Sequence, residues 1–398
     1  MVQRNVWWMA LVAAGIALGS SPDAEAQRRH GRRGMRCSEG EHVSAGHCCG
    51  PGEEWVEARS SCVCLQPGGC TPAVAPTPAV TQGSGPDVPP GTPDGPGEAP
   101  MRRQCPEGMV LLDNNVYQRG APPNEGDRNE GPTHRVSLAP FCIDRTEVTT
   151  GRYRACVTAG RCTVHTTVNF PGLPPADQPF WSSFCNGART DRDEHPINCV
   201  DWAQADTYCR SRNGRLPTEA EWELAARGVE ARRFPWGDTP PTPDRVNACD
   251  SDCQAATQRP GRPQAPAVLS ASDRAATTAP VGSYPAGASF YGLQDMAGNV
   301  MEWTADWFGP YGAIPQTDPT GPLAGTTRVV RGGHWYTGNA SQLRTTARAE
   351  AQPPFRLATL GFRCAASPAM VRVEPPAPPP PPPEPEPETP RRRHHRRH

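Results

Sequence analysis

Sixteen cysteines stand in this chain, and the residues ahead of them decide what those thiols become. Arg4 leads into the apolar run VWWMALVAAGIALG, too short to span a bilayer with comfort, and the small residues AEA follow at 24–26. A positive flank, an apolar stretch and a small-residue cleavage site read as an export signal over residues 1–26. No cysteine sits at the cleavage point, so a lipid anchor is not indicated. The expected location is secreted, periplasmic or cell-surface, with no transmembrane span after cleavage. In that setting thiols in even number pair oxidatively, and crosslinks carry part of the fold.

The second constraint is proline. With 50 prolines and 39 glycines in 398 residues, much of the chain cannot be regular helix or sheet, which leaves one sizeable globular unit plus tails. There is no lysine, so every fixed positive charge is arginine. Schiff-base chemistry and P-loop phosphate binding, which need an amine, are excluded. A formal net charge of -1 excludes polyanion binding over the whole surface and leaves only local clusters.

Six cysteines between Cys37 and Cys70 fall in a stretch too poor in apolar residues to fold without crosslinks. We read a disulfide module over 37–70, of undetermined connectivity. The rival reading is a zinc knuckle, which export and the irregular spacing, with Cys48 and Cys49 adjacent, disfavour. Residues 71–104 are rich in Pro and Gly and read as a solvated, disordered linker. Residues 368–398 read as a disordered tail, in which PPAPPPPPPEPEPETP favours extended polyproline II and ends in RRRHHRRH. That cationic end is read as solvated, with a cell-surface or nucleic polyanion as the alternative partner.

Between them, 105–367 hold the helix signals. RVSLAPFCID alternates Val136 and Leu138 as a strand does. In TTGRYRACVTAG, Thr149 is a candidate cap, Tyr153, Cys156 and Val157 share a face, and Gly160 ends the run. VDWAQADTYCRSRNG repeats the plan with Asp201 as cap, Trp202, Ala205 and Cys209 inward, and Gly214 as stop. In LPTEAEWELAARG, Thr218 and Glu221 make a capping box. Glu219, Glu221 and Glu223 are accordingly read as structural.

The succession DRTEVT, HPINCVDW, GRLPTEAEWELAARG, FPWGD, TAPVGSYPAGASFYGLQDMAGNVMEW, RVVRGGHWY and LGFRCA resembles the formylglycine-generating enzyme family, the sulfatase-modifying factors. The resemblance covers 105–367 and implies a compact α+β fold, related to C-type lectin-like domains and low in regular secondary structure. It implies calcium in the DMAGNVMEW turn, held by the side chains of Asp295 and Glu302 and the carbonyls of Gly298 and Val300. Hard cations take such mixed carboxylate and carbonyl oxygens; the alternative is a turn with solvated carboxylates. A second family ion site falls on Asn247, the Ala248 carbonyl, Asp273 and the Ala275 carbonyl, although CDSDCQAATQRPGRPQAPAVLSA interrupts the pattern there.

The resemblance also implies a disulfide between Cys209 and Cys364. Cys156 with Cys162, and Cys249 with Cys253, are near neighbours in sequence; Cys142 with Cys199 is a further expected pair, which leaves Cys105 for Cys185. Formylglycine-making members of the family hold copper(I) on two cysteines after an RGGS turn, and soft thiolates are what copper(I) demands. This chain reads RGGHWYTGNASQL, with Thr337 and Gln342 at those two positions and His334 in place of the serine. Neither a hydroxyl nor an amide substitutes for a cuprous thiolate, so copper is not expected. Two readings of different class remain: a calcium-stabilised module binding a peptide or glycan, or an oxidase with an unusual centre that generates formylglycine or acts on another substrate.

Overall fold

A computed structural model of the chain describes residues 101–113 and 115–372, together with four short strands near the N-terminus. The expected signal segment, the linker up to residue 100, the pairing of the six module cysteines and the tail beyond 372 lie outside the described residues. The four strands form two hairpins within the cysteine module. β1 (His42–Ser44) pairs antiparallel with β2 (His47–Cys49), and β3 (Glu53–Val56) with β4 (Ser61–Cys64).

The large domain is mixed α and β, and its strands are short. β5 (Met101–Gln104) pairs antiparallel with β16 (Ala369–Arg372). Both strands are largely exposed and show no buried alternation, so the pairing had no signature in the sequence, and the domain extends beyond the expected limits of 105 and 367. β6 (Met109–Leu112), β9 (Phe141–Asp144) and β15 (Ala365–Ala366) form one three-stranded sheet. β7 (Asn115–Arg119), β8 (His134–Leu138) and β11 (Gln316–Thr317) form another. The central sheet runs β13-β12-β10-β14, from Arg348–Ala351, Arg328–Arg331, Met301–Trp307 and Leu360–Gly361. Within it β10 and β14 are parallel, Met301 opposite Leu360.

The helices begin where their caps place them. α1 (Thr150–Thr158) starts at Thr149, whose side chain accepts from the Arg152 amide. After α2 (Gln178–Ser182), α3 (Trp202–Ser211) opens on a capping box of Asp201 and Gln204, and α4 (Glu219–Arg227) on one of Thr218 and Glu221. α3 stops before Gly214 because Asn213 already turns left-handed at φ 58°. Trp202 is only half-buried, sandwiched against the Arg328 guanidinium. α5 (Ser251–Thr257) is capped by Asp250, which accepts from the amides of Asp252 and Cys253. α4 sends Trp222 into a core with Leu112, Tyr117, Val136 and Phe141, while Tyr153, Tyr208, Trp303, Trp335 and Phe362 fill the larger one.

Five disulfides join the ten cysteines between 105 and 364. Cys209–Cys364, Cys156–Cys162 and Cys249–Cys253 form as expected. The other two correct the expectation: Cys105 pairs with Cys142 and Cys185 with Cys199, so neither Cys142–Cys199 nor Cys105–Cys185 exists. The reason is strand register. Pairing of β6 with β9 sets Leu111 opposite Cys142 and brings Cys105, just ahead of β6, within 5.6 Å Cα to Cα. The Asn198 side chain accepts from the Asn186 amide at 2.7 Å and draws Cys185 to Cys199. The link from Cys209 to Cys364 spans 155 residues, a loop whose closure is worth about 4–5 kcal/mol in the chain-entropy model.

Candidate functional site

The turn before β10 is wound by three left-handed residues, Asp295, Gly298 and Asn299. Glycine is required at 298, because a β-carbon there would collide with the Asn247 carbonyl. Asn299 fastens the turn: its Oδ1 accepts from Asn247 Nδ2 at 3.0 Å and from the Ala279 amide at 2.9 Å. Its own amide donates to the Asn247 carbonyl at 2.9 Å. The two expected ion-ligand sets, one on 295–302 and one on 247–275, are thus knitted side by side.

In the first set neither carboxylate is solvated. Glu302 is fully buried and accepts from Arg363 and from the Trp222 indole at 2.8 Å. Asp295 accepts from the Gly282 amide at 2.6 Å, and burial pushes its carboxyl up to about 6. A third carboxylate, unforeseen from sequence, closes the group. Glu147 is buried beside Asn299 and Val300, and burial followed by the fields of Asp295 and Glu302 raises its pKa well above the usual carboxylate range. Three buried carboxylates against the Arg363 guanidinium leave negative charge that a proton or a cation must offset.

The second set meets a sharper test. Asn247 Oδ1 is buried and has no hydrogen-bond partner, the state of an oxygen shaped for a cation. Asp273 accepts from the Ala248 and Ala275 amides at 3.0 and 2.9 Å, and burial pushes its carboxyl up to about 7. Asp273 and Ala275 also line a cleft of about 510 Å³ bordered by Arg192, His195 and Tyr284. Among the described residues no three His, Cys, Asp or Glu side chains are placed to hold a metal by themselves. Either set therefore depends on main-chain carbonyls, and the second also on the Asn247 amide; those oxygens fit a hard cation.

The turn after β12 positions the remaining candidates. A β-carbon on Gly333 would lie 3.3 Å from Thr337 Oγ1 and 3.1 Å from the Gln342 main-chain carbonyl, so the Thr337 side chain and the Gln342 backbone both border that glycine. Thr337 is 1% exposed; its hydroxyl accepts from the His334 amide at 2.9 Å, and its amide donates to the His334 carbonyl. Gln342 is exposed. His334 accepts on Nδ1 from the Tyr336 amide at 3.1 Å, and burial pushes its pKa down to about 3, so it is a neutral packing residue.

The segment that interrupts the family pattern folds over this turn. The Cys249 amide donates to the Thr337 carbonyl at 3.0 Å, Pro266 covers Gly338, and Leu269 shares a core with Leu343. Arg259 and Arg262 clamp Asp177 at 2.6 and 2.7 Å, tying the strap to the loop that carries α2. Beside it Phe180, Trp181, Phe184 and Tyr336 form a half-buried aromatic ridge with edge-on contacts of 5.2–5.4 Å. Sequence reasoning missed this ridge, because its members lie on two segments more than 150 residues apart.

A disulfide-stapled α+β domain, built on short sheets and carrying an oxygen-lined double turn next to a thiol-free RGG turn, defines the class. The chain belongs to the sulfatase-modifying factor family: residues 96–368 match the model of the sulfatase-modifying factor enzyme 1-like domain. It is similar to the formylglycine-generating enzyme of Streptomyces coelicolor, 37% identical over 305 residues that cover 68% of this chain and 92% of that protein. The formylglycine-generating enzyme of Thermomonospora curvata is 33% identical over 300 residues, 66% and 94% of the two chains. The inactive C-alpha-formylglycine-generating enzyme 2 of Bos taurus is 31% identical over 288 residues, 65% and 87%.

Proposed function

We propose that this protein is a non-oxidising member of its family, an exported, calcium-stabilised domain that binds a peptide or glycan without altering it. One observation carries the reading: at the position where copper(I) calls for a thiolate, Thr337 is buried and hydrogen-bonded into the His334 turn, with Cys249 bonded on its far side. The ten domain cysteines are all in disulfides, and no free cysteine stands among the described residues to supply sulfur from elsewhere. Relatives of comparable similarity carry both active and inactive names, so resemblance alone favours neither outcome.

The ligand surface in this reading is the aromatic ridge of Phe180, Trp181 and Tyr336, where flat rings suit prolines or sugar faces. Calcium at either oxygen set stabilises the turns behind it. The test is binding of proline-containing peptides and oligosaccharides to the immobilised chain, with Trp181→Ala as control. Saturable binding lost in the variant supports the reading; equal binding by both, or none by either, removes the ridge as the surface. The second reading, an oxidase, is the activity that the name of the Streptomyces coelicolor relative gives to that protein, and product analysis decides it.

A further inference from the structure

On one face of α4, Glu219 and Glu223 gather four arginines from three strands and the helix itself. Arg119 reaches Glu219 at 2.7 Å, Arg348 forks it at 2.5 and 2.8 Å, Arg331 meets Glu223 at 2.7 Å and Arg227 meets it at 3.0 Å. A third carboxyl, Asp306, accepts from the Glu219 amide at 2.8 Å. All seven side chains are buried. Four guanidinium groups against three carboxyls leave at least one positive charge uncompensated, and buried charge of that kind calls for a counter-ion. The donors are not all used either: Nε of Arg119 and Nε of Arg331 are buried without a hydrogen bond.

Arg119 and Arg348, with the Glu219 carboxylate they hold and Tyr311, line a cleft of about 320 Å³ whose other walls include Trp307, Pro310, Pro319 and Pro322. That volume is of the size that holds a small organic ligand. The two guanidinium groups lie 4.3 and 4.0 Å from the Tyr311 ring centre, which holds them in place. Guanidinium forks match planar carboxylates, and the walls are apolar.

We propose that this cleft is a binding site for a carboxylate carried on a small apolar body, the anion meeting Arg119 and the apolar part lying between Trp307 and the prolines. The cleft lining does not include the RGG turn, although Arg331 of that motif belongs to the charge cluster behind it, and the proposal is independent of the reading given under Proposed function. The excess charge supplies attraction, and the Arg119 guanidinium at the cleft lining supplies the contact.

Calorimetry and tryptophan fluorescence on the whole chain, with benzoate as probe, test it. Benzoate binds with one site, and benzamide and inorganic phosphate bind about tenfold or more weaker. An acetylated Ala-Phe dipeptide with a free carboxylate binds, and its amide does not, if the natural source is a peptide C-terminus; binding of benzoate alone assigns the site to free acids. Gln316→Glu sets a resident carboxylate in the cleft and lowers benzoate affinity about tenfold or more with the ligand-free melt unchanged. Thr320→Trp, at the exposed mouth, does the same by filling it, and serves if the first variant folds poorly. Equal binding of benzoate and benzamide, phosphate binding tighter than benzoate, undiminished affinity in a folded variant, or no signal with benzoate overturns the proposal.

Discussion

Arg363 forks Glu302 across both carboxylate oxygens, Nε to Oε2 and Nη2 to Oε1, each at 2.7 Å. The Trp222 indole takes the second lone pair of Oε2, so Glu302 has one lone pair left, on Oε1. As a calcium ligand it is then monodentate. Arg363→Met strands Glu302 beside Asp295 and Glu147 and costs about 3–5 kcal/mol in urea unfolding. Adding Glu302→Gln recovers part of that loss, because the two residues act as one unit; full additivity would show that they do not.

Calcium raises the melting temperature, and a chelator reverses the rise. At a hundredfold excess over the dissociation constant the gain is about 2.7 kcal/mol. Asn247→Ala removes the increment due to the second set and Asp295→Asn that due to the first, so the variants show which set is filled. Identical melts with and without calcium would refute both.

How much of this was legible follows from range. The caps of α1, α3 and α4 sit within four residues of what they satisfy, and Thr149, Asp201 and Thr218 could be read directly. Thr337 and Gln342 were singled out by the motif around them, but that one is buried and the other exposed had no mark in the sequence. Glu147 was not, since its partners lie about 150 residues away and nothing local marks it as buried. The same holds for Cys105 and Cys142, where strand register decides, and for the strap, whose contact with Thr337 depends on where Cys249 sits.

His334 gives a pH signature. Its folded pKa, about 3, lies below the unfolded value of about 6.5, so the unfolded chain takes up the proton first. Its contribution to stability is present above pH ~6.5 and is lost as pH falls toward ~3. The stability advantage of the wild type over His334→Ser therefore shrinks through that window, by at most about 1.4 kcal/mol per pH unit. A gap independent of pH would mean that the ring is exposed to water.

Thr337→Cys with Gln342→Cys places two sulfurs at positions that both border Gly333. The double variant, kept reduced, gains copper(I) affinity in a competition titration with a cuprous chelator, and each single variant gains much less. No gain in the double variant would show that the strap over Thr337 keeps the metal out.

The central claim is that no cysteine oxidation occurs at this turn. The direct measurement incubates the purified wild-type chain with copper(I), oxygen and a peptide containing Cys-x-Pro-x-Arg, then weighs the peptide by mass spectrometry. Our account predicts that the thiol is recovered intact, at the level of a protein-free control. Formation of the aldehyde above that control, with repeated turnover, would contradict it.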